Sequence, residues 1–278
     1  MNNIQQSVRA EQPVALPHIS VKLGLQNNRL KPRKILGAAG SIACFLLVPA
    51  VWITCKYAFG ISDRYLPSPV DVVQACSDLE PNVWVHTLYT AGRLALGFLA
   101  GVSVGIGLGI ATNRFRLLAK ILCPIFDGMR SVPAVAIVPF FLLWFGFAES
   151  GRLLLVVAGI AFNIAVATHQ ILSDVPEKQR ILFKSFGIES SHLVRSYSIP
   201  RILESLLPTI RFSLSTAMGV VIVSELLGSQ IGLGYLIQTA RNTFSMHVIF
   251  LATILLGILN SLMDFLVTRV WSKAIYWR

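Results

Sequence analysis

Charged residues are scarce in this chain of 278 residues, since only 13% are Asp, Glu, Lys or Arg while 54% are hydrophobic. Soluble domains usually carry about a quarter charged residues, so the composition excludes an ordinary water-soluble fold. Acidic residues are the scarcest, with 13 Asp and Glu against 24 Lys and Arg. A nucleic-acid-binding protein would collect this basic excess on one face. Here the basic residues lie between apolar runs, which indicates a lipid bilayer rather than nucleic acid as the partner.

Motifs for chemistry are also missing. The sequence has no GxxxxGK[S/T] phosphate-binding loop, so we do not expect it to hydrolyse ATP itself. Its four cysteines show no CxxC spacing and no histidine at metal-ligand distance. No His/Glu or Cys/His constellation indicates a membrane-embedded enzyme. We therefore predict no catalytic residue, no metal site and no cofactor.

Long apolar runs with at most one charged residue are what the sequence has in abundance. Roughly 20 apolar residues cross the hydrocarbon core as a helix. Six runs come close to or reach that length: 35–55, 94–113, 131–148, 153–173, 212–227 and 242–263. We predict an all-α polytopic membrane protein, with a cytoplasmic tail of residues 1–34 followed by one transmembrane domain of six helices over residues 35–278.

The basic residues also predict the orientation of these helices. Because six is an even number of spans, both termini lie on the same side of the membrane. That side carries 17 of the Lys and Arg residues, whereas the other side has only Arg64, Arg152 and Arg241. The remaining four lie within or at the edges of spans. Because positive residues accumulate on the cytoplasmic side, both termini are predicted to be cytoplasmic.

One predicted span carries a glycine at every fourth position. On a helix this spacing makes a single stripe, which lets a second backbone approach closely where lipid supplies no hydrophobic force. Helix packing is the favoured interpretation, and lining of a solute path is the alternative. The four residues are Gly97, Gly101, Gly105 and Gly109.

The third predicted span contains Pro133 and Pro139 in the run RSVPAVAIVPFFLLWFGF. Each proline removes a backbone donor and favours a kink. Broken helices at membrane depth are tolerated where they face protein or a water-filled cavity. The segment is therefore either part of a solute pathway or a kinked structural helix.

Several charges lie inside or beside the spans, where charges are rare and often functional. Arg130 stands three residues after Asp127, a spacing that allows a local ion pair. Arg211 and Glu225 lie about 21 Å apart along a straight helix, towards opposite faces of the membrane. Snorkelling to the headgroups is the simpler explanation for the three residues Arg93, Arg211 and Asp264. Glu225 and Arg130 fit either a structural pair or a role in gating. The candidates for a pathway or gate are Arg130, Pro133, Pro139, Arg211 and Glu225.

The segment 174–205 is too long for a simple connection between spans. It alternates charged residues with apolar pairs, breaks at Gly187 and reaches a second amphipathic stretch that Pro200 ends. This pattern predicts a helix–glycine–helix unit on the cytoplasmic surface. Its apolar face is suited to contact with a partner protein. The alternative is that the segment is an amphipathic helix lying in the lipid headgroups.

The spacing of Gly187 and Pro200 resembles the coupling loop of binding-protein-dependent ABC transporter permeases. Further motifs resemble the nitrate, sulfonate and taurine branch of that family, and together they cover about residues 66–240. They are LPSPVDVV at 66–73, HTLYTAGRLALGF at 86–98, the proline-containing run above, SELLGS at 224–229 and IGLGYLI at 231–237. The family often has Glu-Ala-Ala where this chain has Ile181, Leu182 and Phe183.

The resemblance implies the permease subunit of an ATP-driven importer in the bacterial inner membrane. The implied partners are a second copy of the chain, two copies of a cytoplasmic ATP-binding subunit and a periplasmic solute-binding protein. The implied solute is a small anion such as an aliphatic sulfonate, taurine or nitrate. The competing class is a stand-alone carrier or channel of six helices. The sequence shows no detectable inverted repeat, which argues against that class. The implied contacts to the ATPase are Lys184, Ser185, Phe186, Gly187 and Pro200.

Overall fold

Helices make up the regular structure of the part of the chain that is described. The computed structural model describes residues 47–79, 81–174, 185 and 199–275. These ranges contain α1 Leu47–Ala58, α2 Pro69–Asp78, α3 Val83–Arg114, α4 Arg116–Ser131, α5 Ala134–Phe145, α6 Glu149–Ser173, α7 Ile199–Ser205, α8 Leu207–Gly228, α9 Leu233–Asn242 and α10 Met246–Ala274. The all-α prediction is confirmed. The predicted tail 1–34 lies outside the described residues.

Four of the helices, α3, α6, α8 and α10, are long and apolar enough to cross a membrane. Three of them contain the predicted spans 94–113, 153–173 and 212–227. The last begins at Met246 rather than at residue 242, because residues up to Asn242 belong to α9. Only the end of the first predicted span is described, within α1. The number of six spans stays a prediction.

The third predicted span differs from expectation because it is not one long helix. Helix α5 has only 12 residues, about 18 Å of helix, which is short of the hydrocarbon core. It follows α4 after a bend of 105°. Val132 at the bend has extended backbone angles, φ −86° and ψ 125°, as expected for a residue before proline. Pro133 therefore marks the break, whereas Pro139 lies inside α5 without interrupting it.

The pair α3 and α6 forms the centre of the bundle, and α8 packs against both of them as well as α5, α9 and α10. The glycine stripe of α3 faces α6. A Cβ at any of the four glycines would lie 2.5–2.8 Å from the nearest atom of α6, closer than real Cβ atoms come to a neighbour. The stripe thus sets the separation of the two helices, and the residues it meets are Val156, Val157, Ile160, Ala161, Ile164, Ala165 and Thr168.

Candidate functional site

The carboxylate of Glu225 is enclosed near the C-terminal end of α8. Its side chain has no exposed surface. Arg93 donates to it from Nη1 at 2.7 Å, the Thr90 hydroxyl donates at 3.0 Å, and the backbone N–H of Gly234 donates at 2.9 Å. A buried carboxylate needs this degree of hydrogen bonding and an opposite charge to offset its lost hydration. The predicted structural pair for Glu225 is therefore present, with Arg93 as its partner.

The turn between α8 and α9 folds back onto this carboxylate. Gly232 has φ of 136°, which side-chain-bearing residues rarely adopt, and a Cβ at this position would overlap the Glu225 carboxylate. Its N–H donates to Nδ1 of buried His86 at 3.0 Å. The next N–H, that of Leu233, donates to the Thr90 hydroxyl at 2.9 Å. The IGLG sequence thus lets backbone N–H groups reach acceptors on α3 and α8.

The Thr90 hydroxyl holds both the carboxylate and the turn, so its removal has a defined effect. Thr90→Val keeps the shape but leaves the Leu233 N–H without its acceptor, and we expect it to lower the free energy of unfolding by about 2 kcal/mol. Thr90→Ser keeps the hydroxyl and removes one methyl group, so a loss below about 1 kcal/mol is expected. Reversible unfolding in detergent micelles measures both. Equal losses would show that the hydroxyl contributes nothing.

A second carboxylate extends this cluster to the start of α6. Glu149 accepts from Arg93 at 2.8 Å and 2.6 Å, in a two-pronged ion pair, and from Arg152 at 2.8 Å. Arg152 also donates to the carbonyl of Gly228. We call Arg93, Glu149, Arg152 and Glu225 the charge cluster, and it ties the beginnings of α3 and α6 to the end of α8. Snorkelling of Arg93 to the headgroups was the wrong prediction, since its side chain is only 5% exposed.

The opposite end of α8 carries a different ion pair. Arg211 donates from Nε and Nη2 to the two carboxylate oxygens of Asp264 on α10, both at 2.7 Å. Snorkelling of Arg211 and Asp264 to the headgroups stays a prediction. The pair borders a cavity of about 490 Å³, which we call the α8–α10 groove. Its lining residues are Pro208, Arg211, Phe212, Ser215, Asn260, Ser261 and Asp264.

The remaining pathway candidates lie on α4 and α5. Arg130 pairs with Asp127 at 3.2 Å, which confirms the predicted local pair, and both side chains are about half exposed. Pro133 lies at the bend between the two helices, and Pro139 lies in α5, which packs against α6 and α8. The five candidates therefore do not form a single site.

Comparison with known proteins identifies the chain. Residues 101–274 match the family described as the binding-protein-dependent transport system inner membrane component. The chain belongs to this family. The matched residues of this chain include Glu149, Arg152, Glu225 and the whole α8–α10 groove.

Relatives and a solved structure agree with this assignment. A Bacillus subtilis protein named as the aliphatic sulfonates transport permease SsuC is 30% identical over 84% of this chain and 87% of its own length. The Escherichia coli taurine transport system permease protein TauC is 25% identical over 86% of this chain and 90% of its own. A chain of the MetNI methionine ABC transporter, solved in inward-facing conformations, superposes with a TM-score of 0.60. It is 20% identical and covers 71% of this chain and 99% of that one, so this likeness shows the fold.

The structure describes only part of the predicted coupling segment. The residues that lie outside the described ranges include Lys184, Phe186 and Gly187. Ser185 is helical and exposed, and Pro200 lies in α7. The end of the segment is anchored to the bundle. Arg201 of α7 approaches Asp174, the first residue of the segment, at 3.4 Å, and the Trp271 indole of α10 donates to the Leu203 carbonyl.

Proposed function

We propose that this chain is the permease subunit of an ATP-driven importer that moves a small sulfonate, taurine or nitrate from the periplasm to the cytoplasm. The observation that carries the proposal is the family match over residues 101–274, because this stretch includes the entire predicted coupling segment. The names of the relatives SsuC and TauC support a sulfonate or an aminosulfonate as the solute.

In this proposal two copies of the chain form the passage, and each offers residues 174–205 to one of two cytoplasmic ATP-binding subunits. The anchoring of α7 supports a mechanical role for the segment. The hydrogen bond from Trp271 and the ion pair with Asp174 attach α7 to α10 and to the end of α6. Because α8 follows directly, a displacement of the segment would be passed to the long helices and shift a two-state bundle.

The proposed orientation puts both termini in the cytoplasm and a periplasmic solute-binding protein on the other side. In that orientation the charge cluster lies at the periplasmic ends of the long helices, and the Arg211–Asp264 pair lies at the cytoplasmic ends of α8 and α10. The charge cluster, with its full set of ion pairs, suits a fixed structural role. Arg211 suits solute passage better because its side chain is 52% exposed and borders a groove.

Substitutions in the coupling segment test the proposal. Gly187→Pro and Phe186→Glu are expected to lower ATP-driven uptake by at least about tenfold while the protein still inserts in the membrane. The reason is that both alter the surface through which the ATPase would move the bundle. Uptake of labelled taurine or ethanesulfonate into proteoliposomes that contain the permease, its ATPase and its binding protein is the measurement.

Phe59→Glu is the matched control, since Phe59 is 75% exposed and lies outside the coupling segment. It introduces the same charge and should leave uptake close to that of the unaltered protein. Normal uptake by the Gly187→Pro and Phe186→Glu variants would contradict the coupling role. Uptake by the purified chain alone, without an ATPase, would instead favour the stand-alone carrier.

A further inference from the structure

The α8–α10 groove has a cation on one wall and a carboxylate on the other. On the α8 side lie the guanidinium of Arg211 and the hydroxyl of Ser215. On the α10 side lie the carboxylate of Asp264 and the amide of Asn260, one helical turn apart. Oδ1 of Asn260 is buried and has no hydrogen-bond partner among the residues that the structure describes. One wall is thus suited to an anion and the other to a cation.

The groove also lies in helices that are apolar enough to cross the membrane. Charged and polar groups at that level face protein or a water-filled cavity rather than lipid, because hydrocarbon cannot solvate them. The Arg211 and Asp264 side chains are 52% and 30% exposed, so the pair is accessible from the groove. The volume of about 490 Å³ accommodates a small organic molecule together with water.

We propose that the α8–α10 groove is a binding site for a small zwitterion, of the aminosulfonate or amino acid class. Arg211 and Ser215 bind the anionic end, and Asp264 and Asn260 bind the ammonium end. The solute opens the Arg211–Asp264 ion pair and replaces each partner with a charge of the same sign. This inference rests on the proposed transport function and narrows its solute from anions in general to zwitterions.

A simple anion fits this site less well for an electrostatic reason. If a sulfonate without an amino group bound Arg211, Asp264 would lose its partner and stay charged. Because the pair is partly exposed, this loss weakens binding by a modest factor rather than abolishing it. A zwitterion leaves neither charge unpaired, so the site itself discriminates between 2-aminoethanesulfonate and ethanesulfonate. Selectivity of this kind comes from the unpaired charge imposed on the wrong ligand.

Direct binding to the purified full-length chain in lipid nanodiscs tests this inference without a receptor or an ATPase. The probe is radiolabelled 2-aminoethanesulfonate, with unlabelled ethanesulfonate and ethylammonium as competitors. We expect each competitor to bind about threefold to fivefold more weakly than the zwitterion. Equal competition by ethanesulfonate, or no binding of the probe to the unaltered chain, would overturn the proposal.

The double variant Arg211→Gln/Asp264→Asn replaces the ion pair with two neutral, hydrogen-bonding side chains. It should lose the preference for the zwitterion. Asp63→Asn removes the carboxylate that pairs with Lys56, and the Asp63 side chain is 73% exposed. This variant is the control and should keep the preference. A preference that survives in the double variant would overturn the proposal.

A parallel uptake assay separates this inference from the proposed function. If the complete transporter takes up either sulfonate with ATP while the chain shows no preference in nanodiscs, the transport function stands and the zwitterion site is wrong. If no ATP-driven uptake occurs but the chain prefers the zwitterion, the binding site stands and the transport assignment is wrong.

Discussion

Glu225→Ala is expected to lower the free energy of unfolding by about 3–5 kcal/mol, because it removes the fully buried carboxylate that offsets the charge of buried Arg93. Only one further carboxylate in the charge cluster, that of Glu149, would remain to balance both Arg93 and Arg152. The turn would also lose the bond between the Gly234 N–H and the carboxylate. Reversible unfolding in detergent micelles measures the loss.

Asp127→Asn is the matched control for this substitution. It removes one carboxylate from the Asp127–Arg130 ion pair, in which both side chains are about half exposed. Exposed pairs contribute little, so a change below about 1 kcal/mol is expected. If the two variants lose the same stability, the burial of Glu225 does not have the energetic weight assigned to it.

Features that depend on residues close together in the chain could be predicted from the sequence. The apolar runs within α3, α6 and α8 are contiguous, so length and composition alone predict them. The spacing of Asp127 and Arg130 places both side chains on one helix face, and the structure confirms that pair. The motifs over residues 66–240 predicted the family because each combines a few residues at short fixed spacing and their order along the chain is specific.

The charge cluster could not be predicted in this way. Arg93 and Glu225 are 132 residues apart in the chain, and no local pattern connects them. Snorkelling was a reasonable expectation for an arginine near the end of a span, but it assumes that the residue faces lipid. Arg93 faces α8 and the turn before α9 instead, where it donates to the Ile231 carbonyl at 2.7 Å. Which face of a helix meets its neighbours is a property of the tertiary structure.

The two prolines of the third predicted span also show that local sequence does not determine tertiary structure. Local chemistry assigns both the same loss of a backbone donor, yet the chain bends at Pro133 and stays helical through Pro139. The difference lies outside the proline itself. Pro139 belongs to a segment that packs against α6 and α8, whereas Val132, the residue before Pro133, has an extended conformation.

Gly105→Leu is expected to lower the free energy of unfolding by about 3 kcal/mol, at the upper end of the range for overpacked sites. Even a single Cβ at this position would lie 2.7 Å from the Ile164 Cβ and 2.8 Å from the Ala161 carbonyl oxygen. A rotamer change can move the outer atoms of Ile164, but the carbonyl belongs to the backbone of α6. The two helices would have to separate, and unfolding in detergent micelles records the cost.

Gly107→Leu tests whether this cost comes from contact or from the loss of glycine as such. Gly107 lies two residues further along α3, and a Cβ there would meet nothing within 4 Å. The same substitution should therefore stabilise the protein by about 0.5–1 kcal/mol, because leucine favours a helix more than glycine does. Opposite signs for the two variants would assign the stripe to helix packing. A loss of similar size at Gly107 would instead mean that α3 needs glycine for a reason other than its contact with α6.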